Sequence, residues 1–264
     1  MSEHPIAARW RTLRGNAGAR RAALIPYLTA GFPTPEQSLD TLRRVADAGA
    51  DFVEVGVPFS DPLADGPTIQ RSTQAALDQG MTVPRVLDQI HRAALPIPVI
   101  VMTYLNPVMA FGLERFVREA AAAGVAAVLL TDLPAGADPS VEATVAASPL
   151  VLIRLIAPTT TAERLATAVR GASGFLYLIS RLGVTGARDQ VPGDLAGHVA
   201  RLRAASALPV AVGFGISTPA QARAAAALAD GVVVGSAIVD ALGAGGPGAA
   251  ERLVRELSAA VQAA

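Results

Sequence analysis

The 264-residue sequence contains no cysteine and no lysine, and all 22 of its basic residues are arginine. Without cysteine the chain has no thiol nucleophile, no thiolate metal site and no disulfide. Without lysine it cannot form a Schiff base with a carbonyl substrate or hold pyridoxal phosphate through its own side chain. These absences exclude the lysine-dependent aldolases. The chemistry is left to carboxylates, hydroxyl groups and arginine.

Histidine is also scarce, and its three copies are isolated at positions 4, 91 and 198. We expect them on the surface or on helix faces. The formal net charge of zero predicts neither a nucleic acid nor an anionic membrane as a partner. No apolar run approaches the roughly 18 residues of a membrane-spanning helix, and the polar N-terminal segment lacks an apolar signal core. With 52% hydrophobic residues, the composition indicates a folded cytoplasmic protein.

Eight short apolar runs of β type alternate with helical patterns along the chain, as parallel strands buried under helices require. They cover residues 23–30, 51–57, 98–105, 125–133, 150–158, 174–181, 209–216 and 231–237. This alternation predicts an α/β fold, a TIM (β/α)8 barrel, in a single domain of residues 1–264. An open doubly wound sheet is the alternative.

Two segments lie outside this alternation. Residues 4–16 predict an extra N-terminal helix that closes the bottom of the barrel. The glycine-rich stretch 243–249 predicts a loop before a last helix.

Carboxylates cluster in and after the second β run. The segment VEVGVPFSDPLADGP, residues 53–67, places Glu54 inside the apolar run and Asp61 and Asp65 in the following loop. An unpaired buried carboxylate destabilises the fold by several kcal/mol or becomes protonated. Glu54 is therefore either an acid–base group near the barrel mouth or part of a buried ion pair, for instance with Arg154. The two aspartates have the alternative role of a turn or a helix cap.

Glycine and serine end the last two β runs, in GFGIS at 213–217 and GSA at 235–237. TIM barrels often bind a phosphate between the loops after strands 7 and 8, at the N-terminus of a short helix. Gly215 and Gly235 would let backbone N–H groups approach the phosphate, with the Ser236 hydroxyl as a further donor. The sequence therefore predicts a phosphorylated ligand.

A long polar connection, residues 180–195, follows the sixth β run. Connections of this length are often lids, so Thr185 is expected to close over the site, with Gly183 and Gly186 allowing the movement. Within the sixth run, Tyr177 either packs in the core or holds a neighbouring carboxylate with its phenol group.

Seven segments, in their order and spacing, resemble the alpha chain of tryptophan synthase: LTAGFP, VEVGVPFSDPLADGPTIQ, MTYLNP, LTDLP, LISRLGVTGAR, VGFGIS and GSAIV. The likeness runs from about residue 8 to residue 260. It implies cleavage of indole-3-glycerol phosphate to indole and glyceraldehyde 3-phosphate. It also implies no cofactor on this chain and a beta-chain partner carrying pyridoxal phosphate, in an α2β2 complex.

The resemblance also assigns roles to residues. Glu54 matches the family's acid–base glutamate, and Asp65 matches the aspartate that binds the indole nitrogen. Tyr27 stands where the family also uses phenylalanine, a departure that affects only the shape of the pocket. The expected substrate contacts are Tyr177, Thr185, Gly186, Gly215, Gly235 and Ser236.

The chemistry fits these residues independently. A retro-aldol cleavage needs an electron sink, and an indole supplies one when its ring carbon 3 is protonated. A desolvated Glu54 with a raised pKa suits this proton transfer, while an ionised Asp65 would stabilise the ring cation.

The loop after the second β run also predicts a partner interface. Phe59 is expected to be exposed between prolines and, with Asp61, to contact the beta chain; local packing of Phe59 is the alternative.

Three other functions remain open. The chain could be a stand-alone indole-releasing lyase, or a non-catalytic subunit that binds a sugar phosphate. It could also be a Mg²⁺ enzyme that uses Glu54, Asp61 and Asp65.

Overall fold

The computed structural model describes residues 3–15, 21–179, 194–213 and 215–264. Within these residues eight parallel strands pair in sequential order and close into a barrel, with β1 bonded to β8. The strands are β1 Ala23–Thr29, β2 Val53–Gly56, β3 Val99–Thr103, β4 Val125–Leu130, β5 Val151–Ile156, β6 Leu176–Ile179, β7 Val210–Gly213 and β8 Gly231–Val234. The predicted TIM barrel is confirmed, and the open sheet is wrong.

The helices of the described chain lie before, between and after the strands. They are α1 Pro5–Arg14, α2 Pro35–Asp47, α3 Pro67–Asp78, α4 Val83–Ala93, α5 Leu105–Phe111, α6 Leu113–Ala122, α7 Pro139–Ala146, α8 Ala162–Arg170, α9 Leu195–Ala205, α10 Pro219–Ala226 and α11 Ser236–Gln262. Several begin with proline behind a polar cap. For example, the Thr34 side chain accepts from the Gln37 N–H at the start of α2. Proline suits the first helical position because its missing N–H would have no intrahelical acceptor there.

The N-terminal helix α1 closes the bottom of the barrel, as predicted. Its Trp10 packs against Phe52 and Phe175, with ring centroids 4.9 and 5.6 Å apart. These phenylalanines stand just before β2 and β6, at the amino ends of the strands. Arg9 of α1 also pairs with the buried Asp51 at 2.6 Å. With the bottom closed, ligand access is left to the opposite end.

The strands are shorter than the predicted β runs, mainly at their carboxyl ends. The run predicted for 209–216 ends as a strand at Gly213, and the run predicted for 231–237 ends at Val234. Beyond Val234, Gly235 and Ser236 begin the last helix instead of extending the strand.

The loop predicted for 243–249 is wrong. The short helix after β8 and the last helix meet directly within α11, at a kink where Gly246 has φ 68° and Pro247 follows. Glycine adopts this left-handed conformation without the steric cost that other residues bear. In the part of the chain that the structure describes, no helix is both long and apolar enough to cross a membrane.

Candidate active site

Glu54 lies on β2 and is 2% exposed. Burial and, to a smaller extent, the negative charge of Asp65 together raise its pKa to about 8. The suggested ion pair with Arg154 is not formed. Arg154 instead lies 2.8 Å from Glu142 of α7, where β5 faces the helices. Glu54 is therefore a buried carboxyl group that is mostly protonated at neutral pH.

Asp65 lies in the loop after β2, with its charge close enough to influence Glu54. The Tyr104 hydroxyl donates to Asp65 Oδ2 at 3.1 Å and accepts from the Ala64 N–H at 2.9 Å. Burial raises the Asp65 pKa to about 6, while the hydrogen bond from Tyr104 lowers it. Asp65 is thus less solvated than an aspartate in an exposed loop, yet it is mostly ionised at neutral pH. It does not cap α3, whose N-cap is Gly66, without a side-chain hydrogen bond.

At the barrel mouth, two buried tyrosine side chains lie over glycines of the neighbouring strands. A side chain at Gly56 would overlap the hydroxyl of Tyr27, and one at Gly213 would overlap the hydroxyl of Tyr177. The charge of Glu54 raises the pKa of both tyrosines, although burial contributes most. Tyr177 therefore belongs to the barrel interior and lies near Glu54, so the packing and carboxylate roles expected of it are compatible.

The start of α11 lies beside this cluster. Gly235 is its N-cap and Ser236 its first residue, and no side chain caps this N-terminus. The N-terminus of α10 differs, because Thr218 and Gln221 form a reciprocal capping box there. The first N–H groups of a helix lack intrahelical acceptors and favour an anion. Of these two helix starts, α11 is the one whose N–H groups no side chain occupies.

The other residues expected at the phosphate end are only partly described. Gly215, after β7, has φ 85°, a conformation that glycine adopts readily. Thr185 and Gly186 lie outside the described residues, as do the other residues of the predicted lid up to position 193.

The loop after β2 differs from the prediction in one respect. Phe59 is partly buried rather than exposed, and its ring centroid lies 5.3 Å from that of Tyr104. The expectation of an exposed anchor at Phe59 is therefore wrong, and the local packing alternative describes its contact. Asp61 is exposed and accepts from the Ser60 hydroxyl at 2.5 Å. The exposed large apolar side chain of the loop is Leu63, which is 92% exposed.

Tyr104 is the site residue that reasoning from the sequence did not single out. It follows β3 directly, at a carboxyl strand end, and this position could have marked it. The next residue, Leu105, donates its N–H to Asp132 Oδ1 at 2.7 Å, which ties the start of α5 to the loop after β4. Three consecutive strand ends are thereby connected around Asp65.

The positions of Glu54, Asp61 and Asp65 test whether these three carboxylates could bind a metal ion together. In residues 3–15, 21–179, 194–213 and 215–264, no group of three or more His, Asp or Glu side chains is placed to hold a metal ion. The Asp61 side chain is exposed, whereas that of Glu54 is buried. The three carboxylates therefore do not converge.

Comparison with known proteins identifies the family. A family model described as the tryptophan synthase alpha chain matches residues 15–263. The alpha chain of Nitratidesulfovibrio vulgaris strain DP4 is 46% identical over 90% of this chain and 94% of its own length. The alpha chain of Gluconacetobacter diazotrophicus is 46% identical over 96% of this chain and 95% of its own length.

Solved structures agree. A tryptophan synthase structure from Mycobacterium tuberculosis matches with a TM-score of 0.90 and 39% identity, covering 99% of each chain. The alpha subunit from Legionella pneumophila strain Paris matches with a TM-score of 0.90 and 33% identity over 100% of each chain. From the barrel, the family model and these relatives, the chain belongs to the tryptophan synthase alpha chain family.

Proposed function

We propose that Glu54 and Asp65 carry out the alpha reaction in this chain. The family is a lyase family that cleaves indole-3-glycerol phosphate to indole and glyceraldehyde 3-phosphate in tryptophan biosynthesis. The observation that carries the residue assignment is the pair itself. Two carboxyl groups lie at the barrel mouth, Glu54 with a pKa of about 8, raised by burial and by the charge of Asp65, and Asp65 with a pKa of about 6.

The protonated Glu54 starts the reaction. It delivers a proton to ring carbon 3 of the indole and converts the ring to its cationic indolenine form. The ionised Glu54 then accepts the proton of the side-chain hydroxyl as the carbon–carbon bond breaks and the electrons return to the ring. A pKa of about 8 suits a group that must both give and take a proton near neutral pH.

Asp65 stabilises the charge that this proton transfer creates. Its carboxylate, mostly ionised with a pKa of about 6, would lie beside the ring nitrogen and offset the developing positive charge. The hydrogen bond from Tyr104 supports the ionised form. In this assignment Glu54 moves protons and Asp65 remains an anion.

The phosphate is assigned to the start of α11. The N–H groups at Gly235 and Ser236 have no side-chain cap, so the phosphate can accept from them, and the Ser236 hydroxyl is a further donor. Gly215 is proposed to line the same end. Tyr177 is proposed as a pocket contact, and Thr185 and Gly186 as parts of a lid.

The family is the alpha chain of a complex whose beta chain carries pyridoxal phosphate, and the alpha chain has no cofactor of its own. For this chain we propose an α2β2 heterotetramer with indole passing between the two sites. The exposed Asp61 and Leu63 support the loop after β2 as the contact surface, with Phe59 behind it. A single domain over residues 1–264 and a cytoplasmic location complete the proposal.

The test is indole formation from indole-3-glycerol phosphate by the purified chain, with and without EDTA. Glu54→Gln keeps the shape of the side chain but removes proton transfer, so the cleavage rate should fall by about two or more orders of magnitude. Binding of glyceraldehyde 3-phosphate should be unchanged. Near-full turnover in Glu54→Gln would contradict the assignment, and loss of activity with EDTA would favour a Mg²⁺ enzyme.

A non-catalytic subunit would bind the sugar phosphate without releasing indole. The raised pKa of Glu54, toward the working pH of an acid–base group, argues against this alternative.

A further inference from the structure

The side chain of Tyr27 spans the site from its phosphate end to its carboxylate end. Tyr27 lies on β1 as the Cα partner of Glu54, so both side chains point into the barrel. A Cβ at Gly235 would lie 3.5 Å from Tyr27 Cβ, and a Cβ at Gly56 would overlap the Tyr27 hydroxyl. The phenol oxygen is thereby fixed over Gly56, two residues beyond Glu54.

Three buried hydroxyl groups form a chain that begins at this oxygen. The Tyr27 hydroxyl lies 3.4 Å from Thr29 Oγ1, which lies 2.7 Å from Ser72 Oγ on α3. The Ser72 hydroxyl donates to the Ile69 carbonyl oxygen at 2.9 Å. Thr29 and Ser72 are each 1% exposed, so water does not replace these bonds.

The chain has one direction because each hydroxyl carries a single hydrogen. A carbonyl oxygen only accepts, so the hydrogen of Ser72 is committed to Ile69. Thr29 must then donate to Ser72, and Tyr27 must donate to Thr29. The hydrogen of Tyr27 points away from the site, and the oxygen lone pairs remain toward it.

Two carboxyl groups lie near Tyr27, because Glu54 is its Cα partner on β2 and Asp65 is in the loop that follows β2. Burial contributes most to the raised pKa of Tyr27, and the charges of Asp65 and Glu54 and the nearby Tyr104 raise it further. Burial and the charge of Glu54 also raise the pKa of Tyr177 on β6. A tyrosine in this position could stabilise either carboxylate by donating its hydrogen, but the hydroxyl chain holds that hydrogen elsewhere.

We propose that Thr29 and Ser72 hold the Tyr27 hydroxyl as an acceptor toward the carboxyl pair, which makes Tyr27 a positioning residue that keeps the proton on Glu54. This inference rests on the acid–base role proposed for Glu54. The negative end of the hydroxyl dipole disfavours a second ionised carboxylate nearby.

The experiment measures kcat/KM for indole release against pH. The alkaline limb reports the loss of the proton from Glu54. Thr29→Val keeps the shape of the side chain but removes the acceptor for Tyr27, which is then free to donate to a carboxylate. The alkaline limb should move to lower pH by about one unit, which is a tenfold change in proton affinity. Ser72→Ala, on a helix rather than a strand, should move the limb in the same direction.

Three controls separate the effect of the hydroxyl chain on the alkaline limb from general effects of substitution. Thr29→Ser retains a hydroxyl and should restore the wild-type limb. Thr41→Val removes an equally buried hydroxyl in α2, which donates to the Gln37 carbonyl oxygen, and should leave the limb unmoved. In a Tyr27→Phe background, Thr29→Val should have no effect on the limb, because the hydroxyl that it releases is absent.

The outcomes distinguish this inference from the proposed function. If Glu54→Gln retained turnover, the role of Glu54 would be wrong. If Glu54→Gln were inactive while Thr29→Val and Ser72→Ala kept the wild-type alkaline limb, only the role of the hydroxyl chain would be wrong. A shift of the limb by Thr29→Val in the Tyr27→Phe background would also overturn it.

Discussion

The hydroxyl of Tyr104 donates a hydrogen bond to Asp65 Oδ2 at 3.1 Å while it accepts from the Ala64 N–H at 2.9 Å. One side chain at the end of β3 thus fixes both the backbone and the carboxylate of the loop after β2. The ring of Phe59 packs on the same tyrosine, at 5.3 Å between centroids. The geometry of the loop that carries Asp65 therefore depends on Tyr104.

Tyr104→Phe should impair the reaction most at low pH. The hydrogen bond from Tyr104 lowers the Asp65 pKa, so its loss raises that pKa above about 6. Because the ionised Asp65 is the active form, the acid limb of kcat/KM should move to higher pH by about one unit. A pH profile of indole release measures this shift. A uniform loss of rate with an unmoved acid limb would mean that Tyr104 only supports the loop.

Asp65→Asn should lower the cleavage rate sharply. Asparagine keeps an acceptor for Tyr104 but carries no charge to offset the ring cation. Binding of glyceraldehyde 3-phosphate, which lacks the ring, should be unchanged. Calorimetric titration of indole-3-glycerol phosphate and of glyceraldehyde 3-phosphate provides the comparison. Equal weakening of the binding of these two ligands would assign Asp65 a purely structural role.

Glu54→Gln should stabilise the fold at alkaline pH. Folding raises the Glu54 pKa from 4.5 to about 8, so the folded state favours the protonated form. The stability that wild-type protein has below pH 4.5 is therefore lost progressively as the pH rises through about 8. Glutamine does not ionise and avoids this loss.

Urea unfolding of both proteins at low and high pH checks this expectation. The variant should be the more stable protein above pH 8, and the difference should shrink toward pH 4.5. Glu36→Gln, which changes an exposed carboxylate on α2, is the control and should show no such trend. A pH-independent difference for Glu54→Gln would mean that Glu54 is not protonated in the fold.

Ser236→Asp should weaken binding of phosphorylated ligands. The added carboxylate would compete with the phosphate for the uncapped N–H groups at the start of α11 and would repel it. Free indole, which carries no phosphate, should bind as to the wild type. Unchanged affinity for glyceraldehyde 3-phosphate would move the phosphate site elsewhere.

The barrel could be predicted from the sequence because the periodic apolar runs reflect burial. Each buried strand shows this pattern in its own short stretch of sequence. The sequence also placed Glu54 and Asp65 at the same end of the barrel, because Asp65 lies in the loop that follows the carboxyl end of the strand carrying Glu54. The contact between Tyr104 and Asp65 could not be read in this way, since 39 positions separate the two residues and only the closed barrel brings them together. The prediction that Phe59 is exposed was wrong for the same reason, because its packing partner, Tyr104, lies at the end of another strand.

The exposed side chains of the β2 loop provide the last prediction. Leu63 is 92% exposed, an unusual position for a large apolar side chain, and Asp61 beside it is exposed as well. A partner docking on them would act on the same short loop as Asp65. Because misplacement of a catalytic group by about 1 Å can cost a hundredfold in rate, docking would set the rate of cleavage. We therefore expect the isolated chain to be slow and to accelerate by one or more orders of magnitude when the beta chain is added.

Variants of the loop separate docking from local packing. Leu63→Ala and Asp61→Ala should lose the activation and keep most of the basal rate, as measured by indole release with increasing beta chain. Phe59→Ala should lower the basal rate too, because it removes the packing on Tyr104. Arg252→Ala, at an exposed position on α11, is the control that should keep both rates. An isolated chain already at full speed and indifferent to the beta chain would instead be a stand-alone indole-releasing lyase.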